Sequence, residues 1–212
     1  SLMRQRRMYL MNPIVRYVGL CDFVQQLTDC AVFYDKKVPL MTHVIGQGKI
    51  GDGRNNSSFF FFRNLNRNVP EIIIRFSDRR PAIVFCHSKA DTEKLADLLA
   101  TAHNIGKRTN ATTQLAAKTR IFKLQRVLQY SIAYHHAGLE HDDRRLVEQA
   151  FSSGQIRVLC ATSTLAMGVN LPAHLVVIMG TKAWRGSDAG YQDLDQASLL
   201  QMIGRAGRPG FD

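Results

Sequence analysis

The chain has 212 residues, of which 45% are apolar and 21% charged, with 28 Lys and Arg against 17 Asp and Glu and a net charge of +11. That suffices for one α/β domain with extensions and a buried core, while the absence of any run of about 18 apolar residues excludes a membrane-spanning helix. The basic excess favours a polyanionic partner such as nucleic acid, or an anionic membrane surface, although charge that merely keeps the protein soluble reads the same way.

Arg4, Arg6 and Arg7 open the chain without the apolar stretch and cleavage site of a secretory signal. Ser1 is not an initiator methionine, so a fragment of a longer protein is expected. Gly46 to Asn68 is rich in Gly, Asn and Ser around Phe59 to Phe62, which read as a core-facing segment. From Pro81 onward the pattern becomes regular. Ala82 to Cys86 is an apolar run suited to a buried strand. Ser88 then caps a predicted helix to Ala102, with Leu95, Leu98 and Leu99 on one face.

His103 to Gln129 carries Lys107, Arg108, Lys118, Arg120, Lys123 and Arg126 and no acid. Its second half is predicted as a basic amphipathic helix using Ala117, Ile121, Leu124 and Leu128. It reads equally as a solvated insertion or a face that tracks phosphates. Ile132 to His135 is a second strand. Asp142 to Ser152 is a helix, capped by Asp142 and Asp143 and stopped by Gly154. Ile156 to Ala161 and Leu175 to Met179 complete four short buried strands. Strands alternating with helices imply βαβ units, hence a doubly wound, mostly parallel sheet with helices on both faces.

Three clusters carry chemistry. In Gln201 to Arg208, a helix capped by Asp195 and continuing through the segment would put Leu199, Leu200 and Ile203 on one face. At about 100° per residue, Gln201, Arg205 and Arg208 would share the opposite one. Paired guanidiniums form a multi-donor surface for phosphate oxygens, and Gly204 and Gly207 would allow close approach at a cost in helix stability. In Ala161 to Pro172, the hydroxyls of Thr162, Ser163 and Thr164 follow a strand directly, where a phosphate can bind at exposed N–H groups. Gly168 would permit backbone approach there. A Ser/Thr cap without ligand is nearly as good a reading of that cluster alone. Tyr134-His135-His136-Ala137-Gly138 lacks acidic or cysteine ligands at metal spacing, so its histidines read as structural or substrate-contacting. Cys21, Cys30, Cys86 and Cys160 show no CxxC spacing, which argues against a zinc site or disulfide framework and for a reducing compartment.

Taken in order, these segments resemble the superfamily-two helicases of the Ski-like group over roughly Pro81 to Asp212. Ile83 to Lys89 looks like motif IV, and His135 to Leu139 with Arg144, Val147 and Glu148 like the next block. Thr162 to Pro172 resembles motif V, and Gln201 to Arg208 motif VI. Val38-Pro39-Leu40 looks like the linker between two RecA-like domains. Thr162 to Val177 and Gln201 to Asp212 are most similar to the meiotic crossover-promoting DNA helicases. Spliceosomal and exosome-associated RNA helicases share much of the pattern.

The resemblance implies a division into 1–34, an extension or remnant of a first RecA-like domain, 35–50, the linker, and 51–212, the second RecA-like domain. Arg205 and Arg208 would be arginine fingers, supported by Gln201. Gly204, Gly168 and Asn170 would lie at the nucleotide, Asn170 near the ribose. Ser88, Gly138, Thr162, Ser163 and Gly168 would touch the nucleic-acid backbone. ATP and Mg²⁺ would be held mainly by the first domain, because this chain has no GxxxxGK[ST] loop and no Asp-Glu pair. Expected partners are a single strand, DNA before RNA, and the first RecA-like domain, with no membrane. The resemblance also implies a nuclear protein of 3′-to-5′ polarity. An RNA helicase of the same group, or a catalytically dead helicase cassette serving as a scaffold, are the competing readings.

Overall fold

A computed structural model describes residues 6–11, 40–45, 57–179, 182–184 and 190–206, with side chains from 66 to 179 and over most of 190–206. The strands are β1 (Arg6–Met11), β2 (Leu40–Ile45), β3 (Ala82–Cys86), β4 (Ile132–His135), β5 (Val158–Thr162), β6 (Leu175–Ile178), β7 (Lys182–Trp184) and β8 (Tyr191–Asp193). The helices are α1 (Ser57–Phe76), α2 (Lys89–Thr101), α3 (Asn110–Ala116), α4 (Phe122–Leu128), α5 (His141–Ser152), α6 (Thr164–Gly168) and α7 (Gln196–Ile203).

The main sheet runs in the order β2-β1-β6-β3-β5-β4, and all its pairings are parallel. Every residue of β3, β4 and β6 is buried, which is why these strands read as unbroken apolar runs rather than alternating ones. The expected four-strand parallel core is therefore present. β7 and β8 form a separate antiparallel pair. The ranges expected as extension and linker each hold a strand: β1 pairs with β6, and β2 with β1. The free edge of β6 accepts another row of backbone bonds, and β1 supplies it. Val38, Pro39, Cys21 and Cys30 lie outside the described residues, as do the side chains of Phe59 to Phe62 within α1.

Connection handedness sets the layers. The chain passes rightward from β3 over β5 to β4, then leftward from β4 to β5 and from β5 over β3 to β6. Right-handed crossovers place α2 to α4 on one face and α5 with α6 on the other. β3 and β5 are thus neighbours whose following segments leave on opposite faces. A crevice opens at their C-terminal ends, the usual ligand position in such sheets.

Local signals account for most element ends. Ser88 Oγ accepts the Asp91 N–H at 3.2 Å and caps α2. After α5, Gly154 adopts φ +76°, the left-handed conformation that ends a helix at least cost in glycine. Asp142 and Asp143 sit in the first turn of α5 rather than at its cap, which is Glu140 without a side-chain bond. Their charges there oppose the helix dipole favourably. The basic helix expected in the second half of 103–129 is shorter than expected: it begins only at Phe122, as α4, and α3 precedes it at Asn110–Ala116. Between them Thr119 is buried, its hydroxyl accepts the Ile121 N–H at 3.2 Å, and its carbonyl accepts Gln125 Nε2 at 2.6 Å. That local turn breaks the helix. Leu124 and Leu128 are buried as expected, while Ala117 is exposed.

Candidate functional site

The C-terminal edge of the sheet gathers the candidate residues from β3, β4 and β5. Cys86 and Thr162 are register partners at the ends of β3 and β5, and His135 pairs with Ala161. Ser88, Thr162 to Thr164 and His136 to Gly138 therefore emerge side by side from adjacent strands. This register brings Ser88, Gly138, Thr162 and Ser163 to the β3–β5 crevice and its neighbour.

Each of these segments has its own local support. The Ser88 hydroxyl donates to Asp91 Oδ2 at 2.7 Å besides capping α2, so its rotamer is held from both sides. The hydroxyls of Thr162 and Thr164 are hydrogen-bonded to each other at 2.9 Å at the surface. Ser163 is the N-cap of α6 and makes no side-chain cap bond. Gly168 ends α6 with open space where a Cβ would stand.

The two histidines after β4 are turned to different partners. His135 Nε2 lies 2.8 Å from Glu148 Oε1 on α5. The Gly138 N–H donates to His136 Nδ1 at 3.1 Å, so that nitrogen is unprotonated, and His136 Nε2 faces Glu93 Oε1 at 3.4 Å. The His136 ring also stacks on Tyr134, with centroids 5.5 Å apart. Burial, more than the neighbouring carboxylates can offset, lowers the pKa of both histidines. Burial likewise pushes the Tyr134 phenol up to about 12 and raises both the Cys86 and Cys160 thiols. A Cβ on Gly138 would meet the His136 ring at 3.1 Å, so the His-Ala-Gly turn closes tightly on its own histidine.

α7 carries the arginine cluster. Asp195 caps it as expected: Oδ1 accepts the Ser198 N–H at 2.7 Å and Oδ2 accepts the Ser198 hydroxyl at 2.8 Å. Leu199 and Ile203 are buried, Leu200 is half-buried and Gln201 is exposed, as the predicted faces require. The helix does not continue through Arg208, however. It stops at Ile203, Gly204 caps it, and Ala206 forms a parallel bridge with Ala173. The chain turns there because the Ala173 N–H donates to the Arg205 carbonyl at 2.8 Å, which draws the backbone off the helix path. The helix therefore ends before Arg205, and Gln201 and Arg205 do not share one helical stripe. A Cβ on Gly204 would meet the Leu200 carbonyl at 3.2 Å, within the preceding turn. Gly207 and Arg208 lie outside the described residues.

Arg205 reaches back onto the segment that follows β5. Its guanidinium donates to the Ala166 carbonyl and, at 3.3 Å, to Asn170 Oδ1. With the Ala173 bond this ties Arg205 to the 166–173 segment by both side chain and backbone. Sequence reasoning placed Asn170 and Arg205 at one site but not in contact. No local pattern signals a pair 35 residues apart. It also missed Glu93, which lies between Lys123 and His136. The Lys123 ammonium, 2.9 Å away, is the largest influence holding the Glu93 carboxyl below its usual pKa.

Comparison with known proteins matches residues 64–210 to the family described as helicase conserved C-terminal domain. The chain is 45% identical over 97% of its length to the ATP-dependent DNA helicase MER3 of Saccharomyces cerevisiae, of which it covers 18%. It is 42% identical over 74% of its length to the probable ATP-dependent DNA helicase HFM1 of Homo sapiens, of which it covers 11%. The human U5 small nuclear ribonucleoprotein 200 kDa helicase is 37% identical over 71% of the chain, which spans 8% of it. The chain thus spans less than a fifth of each of these relatives.

Proposed function

This chain belongs to the helicase conserved C-terminal domain family, and from that premise we propose that it is the second RecA-like motor domain of an ATP-dependent DNA helicase. The domain takes in residues 51–212 together with β1 and β2, which pair onto its sheet, and 35–50 leads into it from a first RecA-like domain. DNA is preferred to RNA as the substrate because relatives named as DNA helicases match at 45% and 42%. The resemblance of Thr162 to Val177 and of Gln201 to Asp212 to meiotic crossover-promoting DNA helicases supports a meiotic, nuclear role with 3′-to-5′ polarity.

The observation that carries the reading is the tie between Arg205 and the 166–173 segment at the mouth of the β3–β5 crevice. A residue whose side chain and backbone both join that segment responds to any shift in it. In this reading Thr162, Ser163 and Gly168, with Ser88 and Gly138 beside them, grip the sugar-phosphate backbone through hydroxyls and exposed N–H groups. Such contacts carry no base information. Arg205 and Arg208, with Gln201 beside them, present donors to nucleotide phosphates held by the first domain. Asn170 anchors Arg205 through Oδ1 and keeps its amide donors for the nucleotide, and Gly204 borders it. ATP with Mg²⁺ supplies the phosphoanhydride whose cleavage drives the cycle. The guanidiniums suit that group because their planar forks match phosphate oxygens.

The test is steady-state ATPase of the intact protein with single-stranded DNA and with RNA. Arg208→Ala should abolish nucleic-acid-stimulated turnover. Undiminished turnover in that variant refutes the finger role. Stimulation by RNA alone would transfer the proposal to an RNA helicase, and no turnover in the unmodified protein would favour a scaffold.

A further inference from the structure

Among the large apolar side chains exposed on the described surface, Ile74, Met167 and Phe122, the last stands out. Phe122, the first residue of α4, is 75% exposed. It borders a cavity of about 270 Å³, close to the lower size of small-ligand pockets, whose lining includes Lys94 and Tyr134 as well as the acids Glu93 and Asp97.

Its position follows from two ion pairs. Lys123 Nζ lies 2.9 Å from Glu93 Oε2, and the Arg126 guanidinium pairs with the Asp97 carboxylate one turn further along both helices. The pairs advance together, so α4 runs alongside α2 in the same direction. The start of α4 therefore stands at the same end of the domain as Ser88, at the C-terminal edge of the sheet. Glu93 completes the link, since its other oxygen faces His136, whose Nδ1 holds the Gly138 N–H. Gly138, the buried His136, Glu93 and Lys123, the neighbour of Phe122, are thus linked in turn along that edge.

The charge around the ring is one-sided. Glu93 and Asp97 are engaged by Lys123 and Arg126, and no acid occurs between His103 and Gln129. Lys94, Lys118 and Arg120 are exposed and enter no ion pair among the described residues. An exposed aromatic side chain with Lys94 on the same cavity, and with Lys118 and Arg120 four and two residues ahead of it in the chain, matches what single strands meet on their binding proteins, a stacking surface beside a phosphate-attracting one.

We infer that Phe122 is a stacking platform for one base of a single strand, with Lys94, Lys118 and Arg120 meeting the adjoining phosphates. The inference rests on the reading that the Ser88–Gly138 edge carries nucleic acid. It extends that path to a site outside the motifs.

The experiment uses the intact protein and a single-stranded oligodeoxyuridylate carrying 5-iodouracil, irradiated at long wavelength and mapped by mass spectrometry. Cross-linking to the peptide containing Phe122 is expected. Phe122→Ala should weaken strand binding about tenfold, whereas Phe122→Trp should retain it, and Lys118→Gln with Arg120→Gln should flatten the salt dependence. Cross-links near Thr162 or Gly138 but not at Phe122, with unchanged affinity in Phe122→Ala, would overturn this inference, leave the edge reading intact and point to a protein partner for the ring. Loss of cross-links at every one of these peptides would overturn both.

Discussion

Replacing Arg205 with alanine separates a structural role from a catalytic one by magnitude. The substitution removes the guanidinium bonds to the Ala166 carbonyl and to Asn170 Oδ1 but leaves the backbone bond from Ala173. Hydrogen bonds from a charged donor contribute about 1.5–3 kcal/mol when buried. Arg205 is half-buried and its Asn170 contact is long at 3.3 Å, so a loss of about 1–2 kcal/mol is expected, or a fall in melting temperature of about 2–8 °C. An arginine finger contributes about 10³–10⁵ in rate, which at about 1.4 kcal/mol per decade is about 4–7 kcal/mol. The second effect exceeds anything the lost bonds can explain. The assay is nucleic-acid-stimulated ATPase of the intact protein well below its melting temperature, with the melt recorded on the same sample. Arg205→Lys should fall between, since it keeps the charge and loses the fork. Asn170→Ala should lower turnover by no more than about tenfold, because it removes one anchor of Arg205 and not its charge. A fall of less than about tenfold in Arg205→Ala would mean that Arg205 only braces the 166–173 segment.

Two further predictions concern how the site is held. Asp195→Ala removes both cap bonds to Ser198 and should cost about 1 kcal/mol; Asp195→Asn should recover most of it in a thermal melt, and equal losses in the two would argue against the cap. His136 has a folded-state pKa below the ordinary value because burial outweighs Glu93. In acid the unfolded chain therefore takes up the proton first, and stability is lost as pH falls below about 6.5 toward the folded value. His136→Asn should give a shallower decline in melting temperature over that window, and an unchanged slope would refute the assignment.

The α/β class and the positions of most elements were legible because they depend on short-range chemistry. β3, β4, β5 and β6 are apolar runs, and α2 and α7 announce themselves by Ser88 and Asp195 before a periodic face. α5 ends where Gly154 can take positive φ. The candidate residues were legible as types at motif spacing. Their contacts were not, and the end of α7 shows why. Nothing within Gln201 to Arg208 forbids a longer helix, yet the backbone leaves the helical path at Gly204 to meet Ala173.

The chain's own order of residues determined that β3, β4, β5 and β6 are strands, where α2 and α7 start, and that a cationic, hydroxyl-rich set of residues exists. Only the tertiary structure decided that Ser88, Gly138 and Thr162 share one sheet edge, because parallel register joins strands separated by long crossovers. It also decided that Arg205 answers to Ala166 and Asn170, and that Lys123, next to Phe122, is joined to His136 by way of Glu93. Propensity and periodicity act over a few residues, whereas these contacts form only after the sheet has brought distant segments together.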